Sequence, residues 1–194
     1  MKRKNQGFSL LEVLITVIVT TVGILSMVVL QTKAIQYTQE AVNRDDAASL
    51  ANDLIEIMRA HKDEFYEEKN RPPASYSYNK IKASSDLYSS SGAIQATAQS
   101  CPDSQPQTLM EHAGCWMRKV ENRLPKSTDS SVRGKFVLCP SFALDGDSKP
   151  VCATGYEGST IAVQLAWEVR DNACDATKDA NEPSICTYTT RVEL

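Results

Sequence analysis

Histidine is nearly missing from this chain: its 194 residues hold two, His61 and His112, and neither stands beside a serine or cysteine in a nucleophile motif. Imidazole-based hydrolysis therefore has little to work with, and both histidines read as surface or capping residues. No glycine-rich phosphate loop is present. The acidic stretch "HKDEFYEEKN", His61 to Asn70, alternates with lysines and lacks the glycine pattern of a calcium loop, so it reads as a solvated helix end. None of the six cysteines forms a CxxC pair, which argues against zinc and thioredoxin-type sites. A basic stripe interleaved with aromatics is also missing, with 21 basic residues against 24 acidic and aromatics at 7%, which argues against nucleic-acid binding. These absences together describe a non-enzyme with no cofactor and no metal.

Proline and charge are scarce in one place. No proline occurs before Pro72, and from Phe8 to Leu30 the only charge is Glu12. A helix over that run reaches about 34 Å, enough to cross a bilayer. It is apolar all round rather than along one stripe, which a soluble buried helix does not require, and Lys2, Arg3 and Lys4 stand before it. The exit, "MVVLQTK", offers no small-x-small cleavage site of a secretory signal. The basic side stays in the cytoplasm, so the C-terminal bulk is expected to be exported. Glu12 is then the anomaly, because a carboxylate in hydrocarbon is costly unless a partner is fixed for it.

The cysteines agree with that orientation. Cys101, Cys115, Cys139, Cys152, Cys174 and Cys186 all follow the apolar run, and an even set confined to the exported part points to disulfides made in an oxidising compartment. The sequence leaves every pairing open. Nearest-neighbour links, Cys101 to Cys115, Cys139 to Cys152 and Cys174 to Cys186, are the simplest, each stabilising the fold by about 3 kcal/mol if unstrained.

Residues 1 to 30, "MKRKNQGFSLLEVLITVIVTTVGILSMVVL", resemble the class III signal of type IV pilins and pseudopilins: a basic leader ending in Gly7, then Phe8, a hydrophobic helix and Glu12. The continuation through "DLIEIMRA", Asp53 to Ala60, is similar to the PilV group of minor pilins. Beyond about residue 60 the likeness is looser. The resemblance implies cleavage by a prepilin peptidase after Gly7, N-methylation of Phe8, and docking of Glu12 against the α-amino group of a neighbouring subunit. It implies a type IVa minor pilin at or near the filament tip that primes or modifies assembly and supports adhesion and twitching motility. Its expected partners are the peptidase, other minor pilins, the major pilin, a tip adhesin and inner-membrane lipid. A type II secretion pseudopilin, and less so a membrane-anchored periplasmic binding or sensor protein, are the alternatives. Type IVa major pilins commonly have proline at the position held here by Val29; the weak point of this helix is expected instead at Thr20 to Gly23, "TTVG".

The organisation follows as a leader over 1–7, a transmembrane helix over 8–30, an amphipathic continuation over 31–66, and a periplasmic globular α+β domain over 67–194. In the continuation, Ala34, Ala41, Ala48, Leu54 and Met58, joined by Val42, Ala51 and Ile55, recur at helical spacing, and "RPP" at Arg71 to Pro73 closes the pattern. Residues 71 to 107 read as loop with at most a short strand or helical turn. Thr108 with Glu111 makes a capping box for a second helix, striped by Leu109, Ala113, Trp116, Val120 and Leu124 and ended by Pro125. The period then changes to two at Val132 to Cys139, Thr160 to Arg170 and Ile185 to Leu194, three strands expected to form an antiparallel sheet with one face on the helix. A pilin-like fold has that layout.

Overall fold

The structure, a computed structural model, describes residues 10–66, 81–146, 149–153, 160–170, 174 and 183–194. Helix α1 spans Leu10–Ala60, 51 residues or about 75 Å at the α-helical rise. The chain divides into two compact units, Met1–Val42 and Asn43–Leu194. In the first, the described residues are helix from Leu10 onward, and its large apolar side chains from Leu10 to Leu30 are all exposed, as are Ile35, Tyr37 and Val42.

The second unit is built on the last turns of α1. Ala47, Leu50, Ala51, Leu54, Ile55 and Met58 are buried there. At its end the His61 N–H reaches both Ile57 O (3.2 Å) and Met58 O (3.1 Å), and this tightening leads into a 3-10 turn at Lys62–Glu64. Helix therefore stops at Ala60 rather than continuing to 66. Lys62, Asp63 and Glu64 are exposed, as expected of a solvated helix end, but Phe65 is fully buried and Tyr66 nearly so, which corrects that reading at the two aromatics; residues 67–70 of the stretch lie outside the described residues. Two aromatics in four residues are enough to pull the chain back onto the core, and Tyr66 secures it by donating its hydroxyl to Leu194 O at 2.8 Å.

Helix α2, Leu109–Arg123, opens on the expected capping box: the Thr108 hydroxyl accepts from Glu111 N, and the Glu111 carboxylate accepts from Thr108 N at 3.1 Å and Gln107 N at 2.7 Å. Leu109, Ala113, Trp116, Val120 and the following Leu124 are buried as the stripe requires, with Gly114 and Met117 added. Gly114 has a structural reason. A Cβ there would lie 2.6 Å from Ser100 C and 2.7 Å from Cys101 N, so α2 rides directly on the backbone of the 3-10 turn at Ala98–Ser100.

A short helix α3, Ser130–Arg133, precedes strand β1, Val137–Pro140. The strand expected to begin at Val132 thus starts later. Val132 is buried within α3, and Arg133 turns back to donate to Ala96 O at 2.7 Å while lying over the Phe136 ring. Burial pushes the Arg133 guanidinium pKa down, against the opposing pull of Glu121. Strands β2, Ala143–Leu144, and β3, Pro150–Val151, form a two-stranded ribbon that the alternation did not indicate.

Strands β4, Thr160–Val169, and β5, Ser184–Glu193, complete an antiparallel sheet of order β1-β4-β5. On its core face Leu138 lies opposite Val163, Leu165 opposite Tyr188, and Trp167 opposite Cys186. Ile161, Val163, Leu165 and Trp167 are buried as expected of that face. The opposite face of β4 is buried too, contrary to a sheet covered on one side only: Ala162, Gln164 and Ala166 are at most 3% exposed. β4 is the central strand, and its small alanines lie beneath larger neighbours, Ala162 between Cys139 and Arg191, and Ala166 beside Thr187. Gln164 is satisfied there, donating to Lys135 O at 2.7 Å and accepting from the Thr189 hydroxyl at 3.0 Å. The result is the α+β, pilin-like architecture expected: a long N-terminal helix whose Asn43–Ala60 portion packs with a short second helix and a small antiparallel sheet.

Candidate functional site

Glu12 stands in the first turn of α1 and is exposed, with Leu10, Leu11, Val13, Leu14 and Ile15 exposed around it. A carboxylate there meets the positive end of the helix macrodipole and the free N–H groups of the first turn, so part of its cost is offset within the subunit. Gly7 and Phe8, the expected cleavage and methylation residues, lie outside the described residues. The helical backbone satisfies the hydroxyls farther along the apolar segment. Thr16 donates to Val13 O, Thr20 to Thr16 O at 2.7 Å, Thr21 to Ile18 O, and Ser26 to Val22 O at 2.9 Å. Each polar side chain between Glu12 and Leu30 thereby presents its carbon atoms rather than a free donor, as a helix surrounded by hydrocarbon needs. The "TTVG" segment is helical, and Gly23 has open space on its bare side. This is the one described helix long and apolar enough to cross a membrane.

The cysteines form three disulfides, Cys101–Cys115, Cys139–Cys152 and Cys174–Cys186. Each staples a connection to a regular element: the segment before α2 to α2 itself, the end of the β2–β3 ribbon to β1, and the approach to β5 to β5. Cys139 and Cys152 also enclose Gly92, whose φ is 84° and whose Cβ would lie 2.8 Å from the Cys152 sulfur. The backbone of that turn joins the sheet margin, Leu138 N donating to Gly92 O at 2.9 Å. With all six sulfurs in disulfides, no thiolate is left to act as nucleophile or metal ligand.

A second buried joint holds α2 to α1 inside the Asn43–Leu194 unit. The Trp116 indole N–H donates to Leu50 O at 2.8 Å, with Lys119–Asp53 at 3.4 Å and Arg123–Asp46 at 3.6 Å at the exposed margin. The sequence marked Trp116 only as a stripe residue; its indole donor, which a buried tryptophan must satisfy, was the available signal that it faces a carbonyl. The two histidines, read separately from sequence, meet: their ring centroids are 5.4 Å apart.

Residues 2–28 match the family described as the prokaryotic N-terminal methylation motif, the class III signal typical of pilins and pseudopilins. Gly7, Phe8 and Glu12 all fall inside the matched span. No curated protein and no solved structure matches the chain.

Proposed function

We propose that this chain is a minor pilin of a type IVa pilus, inserted in the inner membrane through α1, cut after Gly7, methylated on Phe8 and incorporated at or near the filament tip to prime or modify assembly. The observation that carries this reading is Glu12: a carboxylate in the first turn of an exposed apolar helix, inside a methylation motif. In a lone subunit the first turn offsets only part of the cost of the charge. Paired with a neighbouring subunit's terminal amine it sets the axial register of one helix against the next, and burying both charges together lowers the penalty on each. The three disulfides support placement of the Asn43–Leu194 unit in the periplasm before assembly and at the cell surface afterwards. The prepilin peptidase, other minor pilins, the major pilin and a tip adhesin are the partners this role calls for, with adhesion and twitching motility the processes it supports.

The test is Glu12→Gln. Membrane insertion, cleavage after Gly7 and folding of the disulfide-bonded unit stay intact, since none needs the intersubunit pair. The ratio of variant protein in sheared pili to that in the inner membrane falls by more than about tenfold at matched expression, because removing one partner strands the other charge in a low-dielectric interface at a cost of several kcal/mol. An unchanged ratio overturns the docking role. Absence of the wild-type protein from pili, together with loss of secreted substrates when the chain is deleted, would instead identify a type II secretion pseudopilin.

A further inference from the structure

We propose that His61 and His112 together form a two-imidazole site for a divalent transition-metal ion of the Cu²⁺ or Zn²⁺ kind. His61 follows the last residue of α1, and His112 sits in the second turn of α2, where its N–H donates to Thr108 O at 3.0 Å. Both are half-buried, so they remain open to solvent on one side. Their rings are tilted by 51° at a centroid distance of 5.4 Å. Two imidazoles on one tetrahedral ion, with metal–nitrogen bonds of about 2.0–2.1 Å, bring their ring centres to about 5.2 Å from each other. The observed pair is therefore at chelating distance with little movement beyond ring rotation.

The surroundings favour this use of the pair. None of the four ring nitrogens hydrogen-bonds to another group among the described residues, so no structural bond must be broken to bind an ion. The backbones that carry the rings are held on both sides. Met58 and Phe65, flanking His61, are fully buried, and His112 lies between the capping box at Thr108 and the Cys101–Cys115 disulfide. Preorganisation of this kind reduces the ordering cost of binding. The adjacent Glu111 carboxylate is turned toward the cap, its Oε2 accepting from the N–H groups of Gln107 and Thr108, and water fills the remaining positions on the ion. Imidazole nitrogen suits Cu²⁺ and Zn²⁺, with Cu²⁺ bound more tightly. A bound ion ties the end of α1 to the start of α2 across an otherwise weak ring contact.

The experiment uses the oxidised full chain in detergent, titrated with Cu²⁺ and followed by electron paramagnetic resonance, with Zn²⁺ as competitor. Wild type binds one Cu²⁺ with nitrogen hyperfine structure from two imidazoles. His61→Gln and His112→Gln each lose more than about tenfold in affinity, since removing a ligand costs at least as much as removing a group that orients one. The double variant loses the signal. Peptide mass spectrometry of wild type gives a reading independent of any variant's folding: Zn²⁺ protects both histidines from diethyl pyrocarbonate. Nitrogen-coordinated Cu²⁺ that persists in the double variant, or equal modification of His61 and His112 with and without Zn²⁺, overturns the site.

Discussion

Replacing Trp116 with phenylalanine tests whether α2 is fixed to α1 by one buried bond or by the charges around it. Trp116 is 1% exposed, and its indole N–H reaches Leu50 O at 2.8 Å, 66 residues away in sequence. Leu50 lies inside α1, where its carbonyl also faces the N–H four residues on, so the substitution leaves no orphaned acceptor. The loss is then a neutral hydrogen bond, about 1 kcal/mol, plus about another 1 kcal/mol for the gap left by the second ring. The charged pairs beside it, Lys119–Asp53 and Arg123–Asp46, have side chains between 30% and 58% exposed, and each contributes less than about 1 kcal/mol. Thermal unfolding of the oxidised protein should show Trp116→Phe lowering Tm by about 4–8 °C. Lys119→Met should lower it far less, and 0.5 M salt should erase the Lys119 difference while leaving that at Trp116. A Trp116→Phe protein melting within a degree of wild type would refute the bond, and a larger loss from Lys119→Met would reverse the ranking of burial over surface charge.

Gly114→Ala sets helix propensity, which favours alanine by about 1 kcal/mol, against a Cβ pressed to 2.6 Å from backbone; because main chain cannot rotate away, the clash prevails and the variant melts lower, by about 1–3 kcal/mol on chemical denaturation. An equal or higher Tm would mean that the turn at Ala98–Ser100 yields. The Glu111 carboxyl pKa is lowered, chiefly by the N–H groups of Gln107 and Thr108. A depressed folded-state pKa gives stability that is present above the unfolded value, about 4.3, and is lost as pH falls through the folded one. Wild type should therefore outmelt Glu111→Gln at pH 7, with the gap shrinking as pH is taken below about 4.3; a gap in Tm that does not change with acidification would exclude the charged cap.

What could be read in advance was whatever local chemistry decides. The lack of proline and the near-absence of charge after Phe8 mark a helix, found from Leu10 onward among the described residues, a threonine three residues before a glutamate marks a cap at Thr108, and alternation in β4 marks a strand with Trp167 inward. The misreadings have tertiary causes. The stripe through Ala34, Ala41 and Ala48 follows a seven-residue interval, which on a straight helix slips by about 20° per repeat. Within the Asn43–Leu194 unit Ala51, Leu54, Ile55 and Met58 of that stripe are buried as expected, whereas Ala48 is only half-buried and Ala47 and Leu50 take the core side in its place. Residues 130–133 follow Asp129 into a helical turn because Val132 finds a buried place and Arg133 finds Ala96 O, neither of which alternation can register. The candidate sites divide along the same line. Glu12 is conspicuous in one dimension, since a single charge in an apolar run is improbable without a use. The histidine pair is invisible there, because His61 and His112 become neighbours only when α1 stops at Ala60 and the Gly114 contact seats α2 on the chain before it. A site assembled from two elements inherits its geometry from what positions them, so substitution at Gly114 should disturb the two histidines together, whereas the docking role proposed for Glu12 needs only its own turn of helix and a neighbouring subunit.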